Sequence, residues 1–398
     1  MSAPAGGHVA VFVLPDYGHV NPTFEITRHL VERGHRVTYV LTEDYRPAVA
    51  AAGAGLVAYD TARRRLGAGH VDADRISELG LDILADTTAR VLPAARAGFT
   101  GADRPDLILY EFESFVAARI LAREWGCPTL QFFPYLASND QYSLHAEIFD
   151  PDSPAVHHGV EEILRVLATV EPDPAAQWAM MAPFDERNLA LLPQALQPRG
   201  ETFDERFTFV GHCLPQRPPA AAWEPPGPDV SVALVSMGTE SNDRDSVFRL
   251  CADAFSDKDW HVVMTLGRGK TLGADLAAVN IEAHEWLPHL AVLPHAAVLV
   301  CHGGMGSILE ALYFGRPVVV VPHTPEHVVN GRRLAELGVG RMLPSGDVDP
   351  GTLRAVVDEL AGDPATMIRV GRLSEQIRAG GGAARAADVV EHLLRARP

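Results

Sequence analysis

Residues 297–314 read AVLVCHGGMGSILEALYF, and this stretch decides the fold. Ala297 to Cys301 is a short apolar run of strand type. His302-Gly303-Gly304-Met305-Gly306-Ser307 is a glycine-rich turn, and Ile308 to Phe314 has the spacing of an amphipathic helix. A strand passing through such a turn into a helix presents unpaired backbone N–H groups at the positive end of the helix dipole. That is a seat for a phosphate or diphosphate. Glu310 lies three and four residues beyond Ser307 and Gly306, on the same side of the helix. A carboxylate there can accept ribose hydroxyl hydrogens, as in dinucleotide folds. The plainer reading is a tight turn that needs glycine only for packing. The combination of His302, Gly303, Gly304, Gly306, Ser307 and Glu310 favours a nucleotide.

Strand-then-helix units of the same kind run along the whole chain. His8–Leu14, Arg36–Leu41, Asp106–Tyr110 and Cys127–Phe133 read as strands of a first half. Pro15–His19 reads as a loop, with a helix starting at Asn21-Pro22 and ending at Gly34. Val230–Ser236, His261–Leu266, Ala297–Cys301 and Val318–Val321 read as strands of a second half. Between the halves, Pro215–Pro228 is proline-rich and without periodicity, which marks a linker. The alternation predicts an α/β fold of two tandem, doubly wound parallel-sheet domains facing across a cleft. The expected boundaries are 1–214, a linker at 215–229, a second domain at 230–380 and a terminal helix within 381–398.

A length of 398 residues suits two cores. A net charge of −17 argues against the phosphate backbone of a nucleic acid or an anionic membrane as partner. The cysteines Cys127, Cys213, Cys251 and Cys301 form no CxxC pair, and no apolar run reaches the ~20 residues of a membrane span. A cytoplasmic protein with reduced thiols is the expectation. Asp72/Asp74, Asp257/Asp259 and Asp347/Asp349 read as solvated loop pairs, so no metal site is expected.

A second polar site gathers at strand ends of the first half. Gly18-His19 follows the first strand, where a helix dipole would disfavour imidazolium and keep a nitrogen basic for proton abstraction. A loop histidine satisfied by backbone is an equally good reading of its position. Glu111, after Leu107–Tyr110, has the chemistry to orient that imidazole, with Glu113 as competitor. Phe112, Phe115, Phe133 and Tyr135 line an acceptor pocket or, more commonly for such a run, plain core. In the second half Ser236-Met237-Gly238-Thr239 offers further phosphate donors, and Trp286 is either a base-stacking residue or a core tryptophan.

These residues resemble the UDP-sugar glycosyltransferases of the GT-B fold, most of all those of bacterial macrolides and other natural products. The likeness runs through Gly18-His19-Val20-Asn21-Pro22, Arg33–Tyr39, Pro105–Tyr110, Ser236–Thr239, Trp286-Leu287-Pro288, His302–Ser307 and Pro322–Asn330. It implies inverting, metal-independent transfer of a sugar from a UDP- or dTDP-sugar to a hydroxyl of an apolar, macrolide- or polyketide-like acceptor. No cofactor is implied beyond that co-substrate, and the assembly is open between monomer and homodimer. His19 would be the base and Glu111 its partner. Trp286 would stack on the nucleobase. Thr239, His302, Gly303, Gly304, Gly306 and Ser307 would hold the diphosphate, Glu310 the ribose, and Glu326 and His327 the donor sugar. The resemblance also implies that the terminal helix packs back on the first domain. Three positions depart from the family pattern: Glu111 where Asp is usual, and His289 and His327 where Gln is usual. They leave a second reading open, a non-catalytic nucleotide-sugar-binding relative that partners another transferase, and a weaker third, a nucleotide-sugar epimerase.

Overall fold

The computed structural model describes residues 6–61, 73–215, 223–238, 245–255, 259–267, 270–273, 276, 278–344 and 348–396. Their packing divides into two units. One holds the chain through Leu214 together with the segment from Gly380 onward; the other holds Pro215 through Ala379. Half of the proline-rich stretch Pro215–Pro228, residues 216–222, lies outside the described residues.

In the first unit the described strands are β1 (His8–Phe12), β2 (Arg36–Leu41), β3 (Gly55–Ala58), β4 (Leu107–Tyr110), β5 (Thr129–Phe133), β6 (Asn188–Ala190) and β7 (Phe207–Phe209). They form one sheet in the order β3-β2-β1-β4-β5-β6-β7. Every pairing is parallel. β1 and β4 are buried along their whole length, as unbroken apolar strands in a sheet covered on both faces must be. In the second unit β8 (Ser231–Ser236), β9 (Trp260–Thr265), β10 (Ile281–His284), β11 (Val298–Cys301), β12 (Val318–Val320) and β13 (Gly340–Met342) form a second parallel sheet, in the order β10-β9-β8-β11-β12-β13.

Both sheets reverse strand order at one place: between β1 and β4 in the first, between β8 and β11 in the second. Connections leave these two neighbouring strands in opposite directions and open a crevice at their carboxyl ends. His19 and Glu111 follow β1 and β4. Gly238 and His302 follow β8 and β11. The topology therefore delivers the residues singled out by chemistry to the place where such sheets bind ligands.

The first helix starts earlier than its sequence suggests. It spans Tyr17–Glu32, and Asp16, not Asn21, is its cap, accepting the Gly18 N–H at 3.0 Å. Pro22 consequently lies inside the helix, where it removes the N–H that would have paired with the Gly18 carbonyl. His19 is thus a first-turn residue of a helix and not a loop residue.

The last helix, Gly382–Arg395, belongs to the first unit. Ala383, Ala386, Ala387 and Val390 share a core with Val9, Ile26 and Leu30. Arg33 pairs with Asp388 at 2.8 Å, and His35 Nε2 lies 3.1 Å from Glu391 Oε1. The turn at Gly382 is fastened by its N–H to the Val210 carbonyl at 2.7 Å. Among the described residues no helix is long and apolar enough to cross a membrane.

Candidate active site

In the first unit, Phe12 of β1 stands beside Tyr110 of β4, so the residues just beyond them are neighbours. Glu111 is fully buried there. Its Oε1 accepts the backbone N–H of Leu14, which ends the β1 run, and its Oε2 stands 2.6 Å from His19 Nδ1. One carboxylate thereby ties the strand end to the helix start and fixes the imidazole with Nδ1–H toward Glu111, leaving Nε2 as the other ring nitrogen. The His19 side chain remains 21% exposed.

The electrostatics reverse the expectation for His19. Burial disfavours its imidazolium, but the touching Glu111 carboxylate, its hydrogen bond, and the nearby Glu113 and Asp16 outweigh both burial and the helix dipole. The pKa is raised to about 10. Contact charges at hydrogen-bond distance dominate over the partial charge of a helix end.

Glu113 does not displace Glu111. Its carboxylate takes the Tyr135 hydroxyl, at 2.9 and 3.1 Å, and burial followed by the Glu111 charge raises its pKa. The Tyr135 ring stands edge-on to His19 at 5.6 Å. Ligand atoms of His19, Glu111 and Glu113 lie within 4.8 Å of one another. Of the four aromatic residues, Phe115 and Phe133 are fully buried side chains of the interior, so the core reading holds for them. Phe112 stacks on Phe115 at 5.0 Å and meets His145 at 3.9 Å.

In the second unit, Gly304 caps the helix Met305–Tyr313, and Ile308 N–H is paired back to the Gly304 carbonyl at 3.2 Å. The amides of Met305, Gly306 and Ser307 thus occupy the first turn, where a helix offers no internal acceptor. His302 explains two of the glycines. A Cβ on Gly304 would lie 2.5 Å from its Nε2, and one on Gly238 would lie 2.9 Å from its Cε1. Gly238 also has φ +85°, which alone favours glycine. Thr239, next in the chain, lies outside the described residues, as do Asp72, Asp257 and Asp347.

Gly303 has φ +103°, and its carbonyl accepts Asn330 Nδ2 at 2.9 Å. Asn330 lies on the helix Pro325–Glu336, which Thr324 caps. The same helix brings His327 edge-on to His302 at 4.7 Å, so Glu326-His327 sits at the glycine turn. Asn330 was missed as a site residue by sequence reasoning; its place at the end of the Pro322–Asn330 likeness was the only signal. Trp286 is 55% exposed, which removes the core reading for it. Glu310 Oε2 lies 2.9 Å from Nδ1 of His289.

Residues 249–393 match the family model described as erythromycin biosynthesis protein CIII-like, C-terminal domain. Over 97% of this chain and 86% of the relative, the sequence is 36% identical to demethyllactenocin mycarosyltransferase of Streptomyces fradiae. This chain belongs to the natural-product glycosyltransferases of the GT-B fold. It is 33% identical to the oleandomycin glycosyltransferase of Streptomyces antibioticus, over 98% of this chain and 91% of that one. The solved structure of the calicheamicin glycosyltransferase CalG4 superposes with a TM-score of 0.86 at 36% identity, covering 99% of this chain and 100% of the other. The glycosyltransferase thus carries its polar clusters on two parallel-sheet units, each at its own strand-order reversal.

Proposed function

We propose that this glycosyltransferase moves a hexose or deoxyhexose from a UDP- or dTDP-sugar to a hydroxyl of an apolar, macrolide- or polyketide-like acceptor, with inversion and without a metal. The observation that carries the reading is the His19–Glu111 pair at 2.6 Å, bound into the end of β1. Its likeness to a demethyllactenocin mycarosyltransferase and an oleandomycin glycosyltransferase supports the acceptor class.

In this reading His19 Nε2 takes the proton of the acceptor hydroxyl. The oxygen attacks the anomeric carbon from the side opposite the diphosphate, and the C–O bond to the β-phosphate breaks. Its electron pair leaves on the diphosphate. The imidazolium that forms is stabilised by Glu111, and the growing negative charge by the amides of Met305, Gly306 and Ser307 and by His302. Trp286 stacks on the base, Glu310 binds the pentose, and Glu326 and His327 address the donor sugar. No metal is assigned to His19, Glu111 and Glu113 in this reading: Nδ1 of His19 and the two carboxylates are held by one another, by the Leu14 N–H and by the Tyr135 hydroxyl, and Nε2 of His19 is given to the acceptor. Four buried thiols outside any disulfide support a reducing, cytoplasmic setting.

Product formation by wild type and His19→Ala, over a panel of UDP- and dTDP-sugars and apolar acceptors, tests the proposal. General-base catalysis contributes ~10²–10⁴-fold, and a loss of that order is expected. Turnover by the alanine variant close to wild type would remove the base from His19. NMR of the new glycosidic bond decides inversion, and activity unchanged by EDTA decides the metal.

A further inference from the structure

His145, on the short helix Leu144–Ile148, is a titratable group outside the His19–Glu111 pair. Its ring lies 3.9 Å from that of Phe112 and 5.5 Å from that of Phe149, at interplanar angles of 31° and 27°. Phe112 stacks in turn on Phe115 at 5.0 Å. It directly follows Glu111, so the stack starts one residue from the partner of the candidate base. The helix is fastened in place: Leu144 N–H donates to Ser138 Oγ at 3.1 Å, and Ser143 Oγ accepts the Ala146 N–H at 3.2 Å. Nδ1 of His145 is enclosed and has no hydrogen-bond partner among the described residues, although the residue as a whole is only partly buried. Burial holds its pKa down at about 4, so the ring is neutral at neutral pH.

An enclosed polar atom without a partner costs stability that a phenylalanine in the same stack would not. An orphaned buried N–H is rarer than an under-used lone pair, so the fitting tautomer has the lone pair on Nδ1 and the proton on Nε2. The neighbouring rings fix the plane of the imidazole, and with it the direction of that N–H, before any ligand arrives. We propose that His145 is a specificity-determining residue for the acceptor: its Nε2–H donates a hydrogen bond to a carbonyl or ether oxygen of an otherwise apolar acceptor, at a point away from the hydroxyl that takes the sugar. A methylene in place of that oxygen would leave the N–H unmatched. This inference rests on the reading of His19 as the base that the acceptor hydroxyl approaches.

Calorimetry and melting curves on the full chain test it with 7-hydroxycoumarin and 2-naphthol, at mildly acidic pH where both are neutral phenols. Both are flat and bicyclic, and only the first carries a ring lactone. Wild type should bind 7-hydroxycoumarin more tightly. His145→Phe keeps an aromatic ring in the stack and removes the N–H, so it should lose roughly threefold to tenfold of that preference, as one neutral hydrogen bond gives. The same variant should melt at a higher temperature than wild type, because the enclosed orphan nitrogen is gone. A histidine kept only for packing would not combine weaker acceptor binding with greater stability. A preference unchanged in folded His145→Phe overturns the inference, and so does a wild type that shows no preference or binds neither phenol. If the variant does not fold, nitrogen NMR of the wild-type imidazole decides. The proton should then sit on Nε2, and its signal should move with 7-hydroxycoumarin and stay in place with 2-naphthol; the reverse overturns the inference. Turnover by His19→Ala close to wild type would remove the base reading instead, without altering what these binding comparisons say of His145.

Discussion

Nδ1 of His19 stands 2.6 Å from Oε2 of Glu111, a residue 92 positions later in the chain. The other oxygen of the same carboxylate holds the N–H of Leu14. The pair is therefore part of the fold as well as a candidate for the chemistry, and both roles can be probed.

The pH profile of transfer should follow this pair. A base whose conjugate acid has a pKa of about 10 is mostly protonated at neutral pH, so kcat/KM should rise with pH through the alkaline range. Glu111→Gln removes the charge that raises it. The rising limb should move to lower pH, and the maximal rate should fall because the imidazolium formed in the reaction loses its counter-charge. A limb in the same place in wild type and variant would separate the profile from this pair.

Stability should carry the same signature. The folded-state pKa of His19 is raised above its unfolded value of about 6.5, so the folded chain binds the extra proton between there and about 10. The resulting stabilisation is complete below pH 6.5 and is lost as pH rises through about 10. Its slope is at most about 1.4 kcal/mol per pH unit. Urea unfolding at several pH values should show this decline in wild type and a flatter one in His19→Gln.

The glycines around His302 should separate by role. Gly304→Ala places a methyl 2.5 Å from the imidazole and must displace it, so affinity for the nucleoside diphosphate should drop at least tenfold. Gly306 lies in the helix with nothing within 4 Å of an added Cβ. Gly306→Ala should leave thermal stability unchanged or raise it, by up to about 1 kcal/mol. Paired calorimetry and melting curves on the two variants read both effects.

The terminal helix gives a contrast of magnitudes. Ala387 is fully buried in the core shared with the helix Tyr17–Glu32, and Ala387→Leu overfills it, at a cost of about 1–3 kcal/mol. Arg33→Ala removes the pair with half-exposed Asp388, the longer contact with Glu391 at 3.4 Å and the bond to the Ala384 carbonyl, all at the surface, and it should cost about 1 kcal/mol. Denaturant titration of both variants tests whether packing, rather than the ion pairs, holds this helix to the first unit.

The sequence by itself determined the alternation of strand and helix, because strands buried on both faces must be unbroken apolar runs and the helices between them must be amphipathic. β1, β4, β8 and β11 were legible for that reason, and so was the glycine turn, whose residue types are dictated locally by the backbone. What the local pattern could not show is anything set by distance through space. Asp16 and not Asn21 is the cap, because the chain already turns helical at Tyr17 and the Asp16 carboxylate accepts the Gly18 N–H there. Phe115 and Phe133 entered the interior because tertiary packing, not local pattern, decides which aromatic is enclosed. The basicity of His19, the grip of His289 on Glu310 and the need of His302 for Gly238 each join residues far apart in sequence. Electrostatic and steric forces depend on separations of a few ångströms, and those separations exist only once the sheets have formed and brought neighbouring strand ends together.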